Sequence, residues 1–444
     1  MRRGAGAFAA ARRSGHAVAR AAVALTALVV AVLAGPGGTP QGVPVPTADA
    51  AAPVQVVWWN YFTESMGLPV TRELIAEFNA QNPRIQVEQQ YHDFPKMSAD
   101  VQAAIAAGQP PDVAQVTYDQ VAIASTLPHK TIAQLATPDE MRVLQRGLYP
   151  IFLKSSTYGG TLQLVPHAIG AVILYINADL FRQAGLDPNR PPATWAELRA
   201  DAQQLKQKTG KFGVFIIRSS SFGAAELIAS AGGRMIGPNG RPAFAGAPGL
   251  EAMTYWQNLV HDGLCPNIGD AEGLQAFAGG QIGMYVSTSA QIAGITKQAS
   301  FDVRTSKIPI FPGRGNYGTH TGSGLMVFAQ DPQRASAAWK FVQFLLSPSS
   351  VTKWVQGTGY LPVKQGLADN PTYLGVWYAK HPLYKPAVQE LPALTGVESW
   401  PGTNGVQINR IISDARDAIL AGAPVKQTLD QTVTQVEALL PKGQ

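Results

Sequence analysis

The sequence predicts an α/β protein built on mostly parallel sheets. Three observations point there. Short β-branched runs alternate with amphipathic helical stretches between residues 54 and 116. The alternation resumes at Val172–Ile176 and continues past residue 212. Apolar residues make up 46% of the 444 positions and charged residues 14%, the balance of a chain that buries large cores. Strand, crossover helix and next strand at this spacing imply parallel pairing with right-handed crossovers.

The first fifty residues stand apart. Arg2, Arg3, Arg12, Arg13 and Arg20 face only Asp49 there, so this segment holds a net +4 of the chain's +6. The sequence pI of 9.3 therefore reflects the N-terminus and not a nucleic-acid-binding surface, and no basic run follows residue 50. Ala21–Ala34 is apolar for 14 residues, short of the roughly 20 that span a bilayer. A Gly/Pro-rich spacer then ends in Thr-Ala-Asp-Ala-Ala-Ala. Basic start, apolar middle and small-residue end describe a signal peptide over 1–50, cleaved near Ala50–Ala52, and thus an exported, periplasmic protein. An uncleaved anchor is the alternative.

The first strand, Val54–Trp59, runs into Asn60, Tyr61 and Phe62. Adjacent strand positions point to opposite faces, so Trp58 and Trp59 serve different surroundings. Val70, Leu74 and Phe78 form one stripe of a helix over 71–82 that Pro83 stops. A strand at Ile85–Tyr91 follows, then a helix over 98–107 with Ser98 as candidate N-cap. Pro110-Pro111 precedes a third strand, Asp112–Val116. In open α/β sheets ligands sit beyond the carboxyl ends of the strands. The Trp59-Asn60-Tyr61 stretch lies at one such end and Tyr118-Asp119 at another.

The second region opens with the strand Val172–Ile176. Thr194-Trp195-Ala196-Glu197 has the spacing of a capping box and starts a helix with Trp195, Leu198, Ala202 and Leu205 inward. Phe212–Ile217 is the next strand. Helices over 247–262 and 270–278 precede a strand at Ile282–Val286. Pro309 marks a crossover, as Pro166 does earlier. Gly322–Phe328 leads into a helix over 333–346, and two amphipathic helices close the chain, the first carrying Ile408, Ile411, Ile412, Ala415 and Ile419.

Cys265 is the single cysteine, so no internal disulfide forms, and it reads as a small buried hydrophobe. The sequence calls for no cofactor and no metal: H-E-x-x-H, G-x-S-x-G and P-loop patterns are absent, and the seven histidines lack ligand spacing.

Several segments together resemble the extracellular solute-binding proteins of ABC importers, in the large carbohydrate-type group. They are Glu73–Pro83 (ELIAEFNAQNP), Ala106–Val116 (AAGQPPDVAQV), Leu174–Leu180 (LYINADL), Gly185–Leu198 (GLDPNRPPATWAEL), Phe277–Ile295 (FAGGQIGMYVSTSAQIAGI), Gly322–Phe328 (GSGLMVF) and Thr358–Val363 (TGYLPV). They keep a common order across 54–440, and the likeness is greatest to the glycerol-phosphate-binding members. The resemblance implies a two-lobed, type II periplasmic-binding-protein fold with the ligand cleft between lobes. Lobe 1 would comprise 53–165 plus 308–362, and lobe 2 168–306 plus 363–444. It also implies a monomer that captures a sugar, polyol, glycerol 3-phosphate or glycerophosphodiester by hinge closure and hands it to a membrane permease.

Carried over position by position, the family's ligand contacts fall at Phe94, Tyr118 or Asp119, Gly170, Thr288 or Ser289, Gly322 or Ser323, and Tyr360. Phe94 stands where the glycerol-phosphate-binding members have tyrosine. Trp59, Asn60 and Tyr61 join them from the strand end, Phe222 from the stretch after Arg218, and Trp400 as a ring to stack on a sugar or a choline group. The phosphate-binding arginine expected just before Gly402 is missing, and Glu398 there has the wrong sign. Arg218 is read as a solvated strand-end residue, with replacement of that arginine as its other role. A secreted carbohydrate-active hydrolase is the rival reading; it needs a carboxylate pair, for which only Asp119 and Glu398 present themselves.

Overall fold

The parallel pairing expected of the first region is present, and it sits at the edge of a longer mixed sheet. The computed structural model describes residues 52–442 apart from Pro95, Ser220–Ser221 and 315–317. The leader assigned to 1–50 and its cleavage point lie outside the described residues. Eight strands form the sheet: β1 Val54–Asn60, β2 Ile85–Tyr91, β3 Val113–Thr117, β4 Val165–Asn177, β5 Phe212–Ile216, β6 Ile282–Thr288, β7 Val303–Ser306 and β8 His320–Val327. Their order is β2-β1-β3-β8-β4-β6-β5, with β7 also on β4. The β1/β2, β1/β3 and β5/β6 pairs are parallel, whereas β8 and β4 run antiparallel to their neighbours.

Strand β4 explains the mixture. All 13 of its residues are buried, and it serves two sets of partners in turn. Its first part, Val165–Ala171, pairs with β8; its second, from Val172 on, pairs with β6 and β7. The strand read at Val172–Ile176 is thus only the second part of a longer one. Pro166 lies within the first part and does not interrupt it. The register slips there, Ser323 facing Ala168 and Gly324 facing Pro166, so His167 is the extra residue of a bulge that accommodates a proline without an N–H.

Gly322, on β8 opposite Ile169, has φ +106°, and a Cβ on it would lie 1.8 Å from the Ala168 carbonyl oxygen. Only glycine fits. Gly170 is a second close approach: a Cβ there would meet Thr288 Oγ1 at 2.4 Å and Thr321 Oγ1 at 2.8 Å. Those two hydroxyls hydrogen-bond each other at 2.9 Å over the bare glycine, tying β6 to β8 across β4.

Helices cover both faces. They include α1 Leu68–Gln81, α2 Met97–Ala106, α3 Trp195–Thr209, α4 Phe222–Ser230, α5 Ala247–His261, α6 Asp270–Ala278, α7 Pro332–Leu345, α8 Pro348–Thr358, α9 Gly405–Leu420 and α10 Val425–Leu439. The capping box at α3 forms as spaced: Thr194 Oγ1 accepts from Glu197 N at 3.1 Å, and the Glu197 carboxylate accepts from Thr194 N at 3.2 Å. Ser98 does not cap α2, which starts one residue earlier; its hydroxyl accepts from Gln102 instead.

Two aromatic cores flank the crossing strand. Around β1, Trp58 meets Phe62 and Phe341 edge-on, and Trp354 lies face to face with Tyr360 at 5.3 Å. Around β6, Tyr285 stacks with Phe215 at 5.8 Å and with Phe277 at 5.3 Å. His167 packs among Trp58, Phe62 and Trp354, and burial holds its pKa down at about 3. It is a neutral ring in an aromatic cluster, and its Nδ1 has no hydrogen-bond partner among the described residues.

Candidate functional site

The carboxyl ends of β1 and β3 open into a cavity of about 730 Å³, within the range of small-molecule sites. Tyr61 and Phe94 supply rings from the β1 side, in edge contact at 5.0 Å. Asp119 stands in the turn after β3. Across from them are Phe222 at the start of α4, Asp270 at the start of α6, and Asn409, Arg410 and Ser413 on α9. A second cavity of about 400 Å³ shares Asp119, Phe222 and Asn409 with the first and adds Lys154, Arg234, Glu398 and Trp400.

Polar contacts hold this wall in place. Asn409 donates to Asp119 Oδ2 at 2.7 Å and accepts from Trp400 Nε1 at 3.1 Å. Ser399 donates to the Tyr118 carbonyl, fixing the neighbouring segment against the β3 turn. Tyr61 donates to Ser323 at 2.8 Å. Burial drives the Tyr61 pKa far up, the Ser323 bond lowers it by less and Asp119 adds a smaller rise, so the phenol stays protonated and able to donate. Asp270 accepts from Arg218 N at 2.6 Å and from the Ser219 hydroxyl, which sets the far wall.

Five of the residues expected at a ligand line these cavities: Tyr61, Phe94, Asp119, Phe222 and Trp400. The rest do not, each for a physical reason. Trp59 stacks on His92 at 3.8 Å and donates to Gln90 at 2.8 Å, because strand alternation turns it away from the face that carries Trp58. Asn60 is buried and accepts from Phe62 N at 3.3 Å in the turn. Tyr118 packs edge-on to His320 at 4.7 Å, leaving the carboxylate next to it, Asp119, to face the cavity. Gly170, Thr288 and Gly322 belong to the crossing of β4 with β6 and β8, Ser289 is buried in the turn that follows β6, and Ser323 acts behind Tyr61. Thr288 accepts from Ala290 N at 3.3 Å, capping the turn that follows β6. Tyr360 is 4% exposed against Trp354; its motif is intact, but its ring is core.

Arg218 corrects the reading of a solvated arginine. Its side chain is only 12% exposed and sits outside the cavity walls, 3.9 Å from Asp417. Burial lowers its pKa. Its neighbour Cys265 is buried, as expected, and burial pushes that thiol up to about 11.

Asn409 was missed in the sequence. It lies inside an amphipathic helix whose isoleucines dominate the pattern. The available signal was that Asn409, Ile412 and Arg416 share one buried face, so two polar residues occupy a stripe otherwise reserved for the core. Gln115 and Thr117 were hidden in the same way, inside a strand whose five residues are all buried.

A family model for bacterial extracellular solute-binding proteins matches residues 73–386. The chain belongs to that family. As a solute-binding protein it has the substrate-binding role of an ABC importer. One relative is the sn-glycerol-3-phosphate-binding periplasmic protein UgpB of Escherichia coli K12, 24% identical over 428 residues, covering 88% of this chain and 94% of that one. Among solved structures, UgpB of Mycobacterium tuberculosis in complex with glycerophosphocholine superposes with a TM-score of 0.76 at 22% identity, over 88% of this chain and 98% of that one. The GacH receptor of Streptomyces glaucescens, solved unliganded and with acarbose, gives 0.76 at 21% identity over 88% and 100%. At these identities the structures establish a shared mixed α/β fold, a central sheet flanked by helices. Among the described residues no helix is long and apolar enough to cross a membrane.

Proposed function

We propose that this solute-binding protein encloses a neutral or zwitterionic, hydroxyl-rich solute between two lobes and passes it unaltered to a membrane permease. The lobes are 53–165 with 308–362, and 168–306 with 363–444. The observation that carries the reading is the Asp119–Asn409–Trp400 chain, a carboxylate and an amide on the wall shared by both cavities and a ring lining the second. Aromatic rings pack the C–H face of a sugar or polyol, while carboxylate and amide groups bond its rim.

Charge narrows the solute. The larger cavity holds Asp119 and Asp270 against Arg410, which points mostly into solvent beside Asp414. A phosphomonoester would meet net negative charge without a buried guanidinium to hold it. Saccharides and glycerophosphodiesters avoid that conflict; of the relatives' named ligands, glycerophosphocholine and acarbose fall within this class and glycerol 3-phosphate, a phosphomonoester, falls outside it. Closure would turn about the crossings through β4 and through the segment ahead of β8, favouring the closed form when the solute touches both walls.

The test is a thermal melt of the purified chain against monosaccharides, oligosaccharides and glycerophosphodiesters, with the ligand assayed afterwards. A melting rise with full ligand recovery supports the reading. Consumption of the ligand would favour the hydrolase, and no shift with any compound would remove the proposal.

A further inference from the structure

The smaller cavity has a charge pattern of its own. Lys154 comes from the helix Pro150–Ser155 and Arg234 from the stretch that follows α4, and both line this space of about 400 Å³ together with Glu398. All three residues are exposed, and none has a hydrogen bond or ion pair among the described residues. Neutral donors on the same walls are committed elsewhere. Thr319 Oγ1 donates to Glu226 at 2.7 Å, Thr395 Oγ1 to the Gly318 carbonyl at 3.0 Å, and Trp400 Nε1 to Asn409 at 3.1 Å. Lys154 and Arg234 keep every proton they have to give.

Charge is divided between the two cavities. The larger sets Asp119 and Asp270 against Arg410, a net −1, while the unpaired residues of the smaller set Lys154 and Arg234 against Glu398, a net +1. Asp119, Phe222 and Asn409 line both, so one solute can reach from one cavity into the other. A solute with opposite charges at its two ends matches this division. A neutral solute leaves both cations of the smaller cavity without a partner, and a phosphomonoester brings about two negative charges to walls that sum to zero. In the lobe division proposed above, Lys154 belongs to the first lobe and Arg234 to the second. Two like charges on the walls of one cavity repel, and an oxyanion between them replaces that repulsion with attraction to each lobe, which favours the closed form.

We propose that Lys154 and Arg234 form an anion subsite that holds a singly charged oxyanion, a phosphodiester or a carboxylate, of a zwitterionic solute whose cationic end lies in the larger cavity. The proposal rests on the solute-binding reading above and chooses between the two kinds of solute allowed there, the zwitterionic over the neutral. Charge-assisted hydrogen bonds from the two cations supply affinity at the anionic end, and the net charge of the larger cavity orients the solute.

The experiment is calorimetry on the full chain at low and at high salt. Glycerophosphocholine, glycerophosphoethanolamine and muramic acid are the zwitterionic probes, so that phosphodiester and carboxylate are tested apart. Glycerol, glucosamine and maltose are the probes without an anionic centre. At least one zwitterion should bind, and more tightly than any probe that lacks the anion. Lys154→Met and Arg234→Met should each weaken it roughly ten-fold or more, the effect of losing a hydrogen bond between charged groups. Salt should weaken zwitterion binding by the wild-type chain and have little effect on the double variant. Arg234→Lys, which keeps the charge, should retain most of the affinity. Melts of the empty variants should match wild type, since both residues are exposed and unpaired. If a zwitterion binds and neither substitution weakens it, or if maltose loses as much, the subsite proposal falls while the solute-binding reading stands. The same holds if only probes without an anion bind. If no probe of either kind binds, both fall.

Discussion

Asn409 donates its side-chain amide to the Asp119 carboxylate at 2.7 Å, joining helix α9 to the turn that follows β3. These residues are 290 positions apart in the chain, and both line the shared wall of the two cavities. Asp119→Asn keeps the shape and removes the charge. Hydrogen bonds to a charged group contribute about 1.5–3 kcal/mol, so the variant should bind a solute of the wild-type chain roughly ten-fold or more weakly. Its melting temperature should stay within a few degrees of wild type. Calorimetry with a thermal melt on the same sample checks both.

Trp400 and Tyr360 separate a site ring from a core ring. Trp400 lines the second cavity and donates to Asn409, so Trp400→Ala should weaken solute binding. Tyr360 lies flat on Trp354, so Tyr360→Ala should cost about 3–5 kcal/mol of stability, the usual range for an aromatic cut from a core. Denaturant titration measures it. An undiminished stability would mean that the ring faces a ligand after all.

The clasp over Gly170 predicts a coupling. Gly170→Ala drives a methyl group against Thr288 Oγ1 and Thr321 Oγ1 and should destabilise the chain by about 1–3 kcal/mol, as overpacking does. Thr288→Ala removes the nearer of the two oxygens, so the double variant should recover part of that loss. Strict additivity in a double-mutant cycle would show that the hydroxyl pair is not what the methyl group meets.

Stability should pass through a maximum with pH. Burial holds His167 at about 3 and His320 at about 4, below the ordinary 6.5, so each loses stability as pH falls through that interval. Glu226 behaves oppositely. Burial, with a smaller push from Glu390, raises it from 4.5 to about 8 despite bonds from Thr319 N and Oγ1, both at 2.7 Å. The folded chain therefore keeps a proton that the unfolded chain releases, and stability declines as pH rises from 4.5 to about 8. Two histidines outweigh one glutamate below 6.5, so these groups place the optimum at roughly pH 6–7. Glu226→Gln should flatten the alkaline side in melts from pH 5 to 9.

Local chemistry made much of the fold legible in the sequence. The Thr194/Glu197 box, the stripe Val70-Leu74-Phe78 and the alternation of Trp58 with Trp59 each depend on residues a few positions apart, and each appears as spaced. Long-range packing was not legible. Val172–Ile176 does not announce that its strand begins at Val165, because Pro166 looks like a break until a bulge absorbs it. At the site, the strand-end logic led to Tyr61 and Asp119, but not to which member of each pair turns inward. Asn409 shares a helix with isoleucines, and its partner comes from the other end of the chain.

The central claim is closure upon a solute, and small-angle scattering tests it most directly. With a compound that raises the melting temperature, the radius of gyration should fall as the lobes shut, and Asp119→Asn should need more of that compound to reach the same curve. Superimposable curves with and without a bound solute, in the wild-type chain, would contradict it.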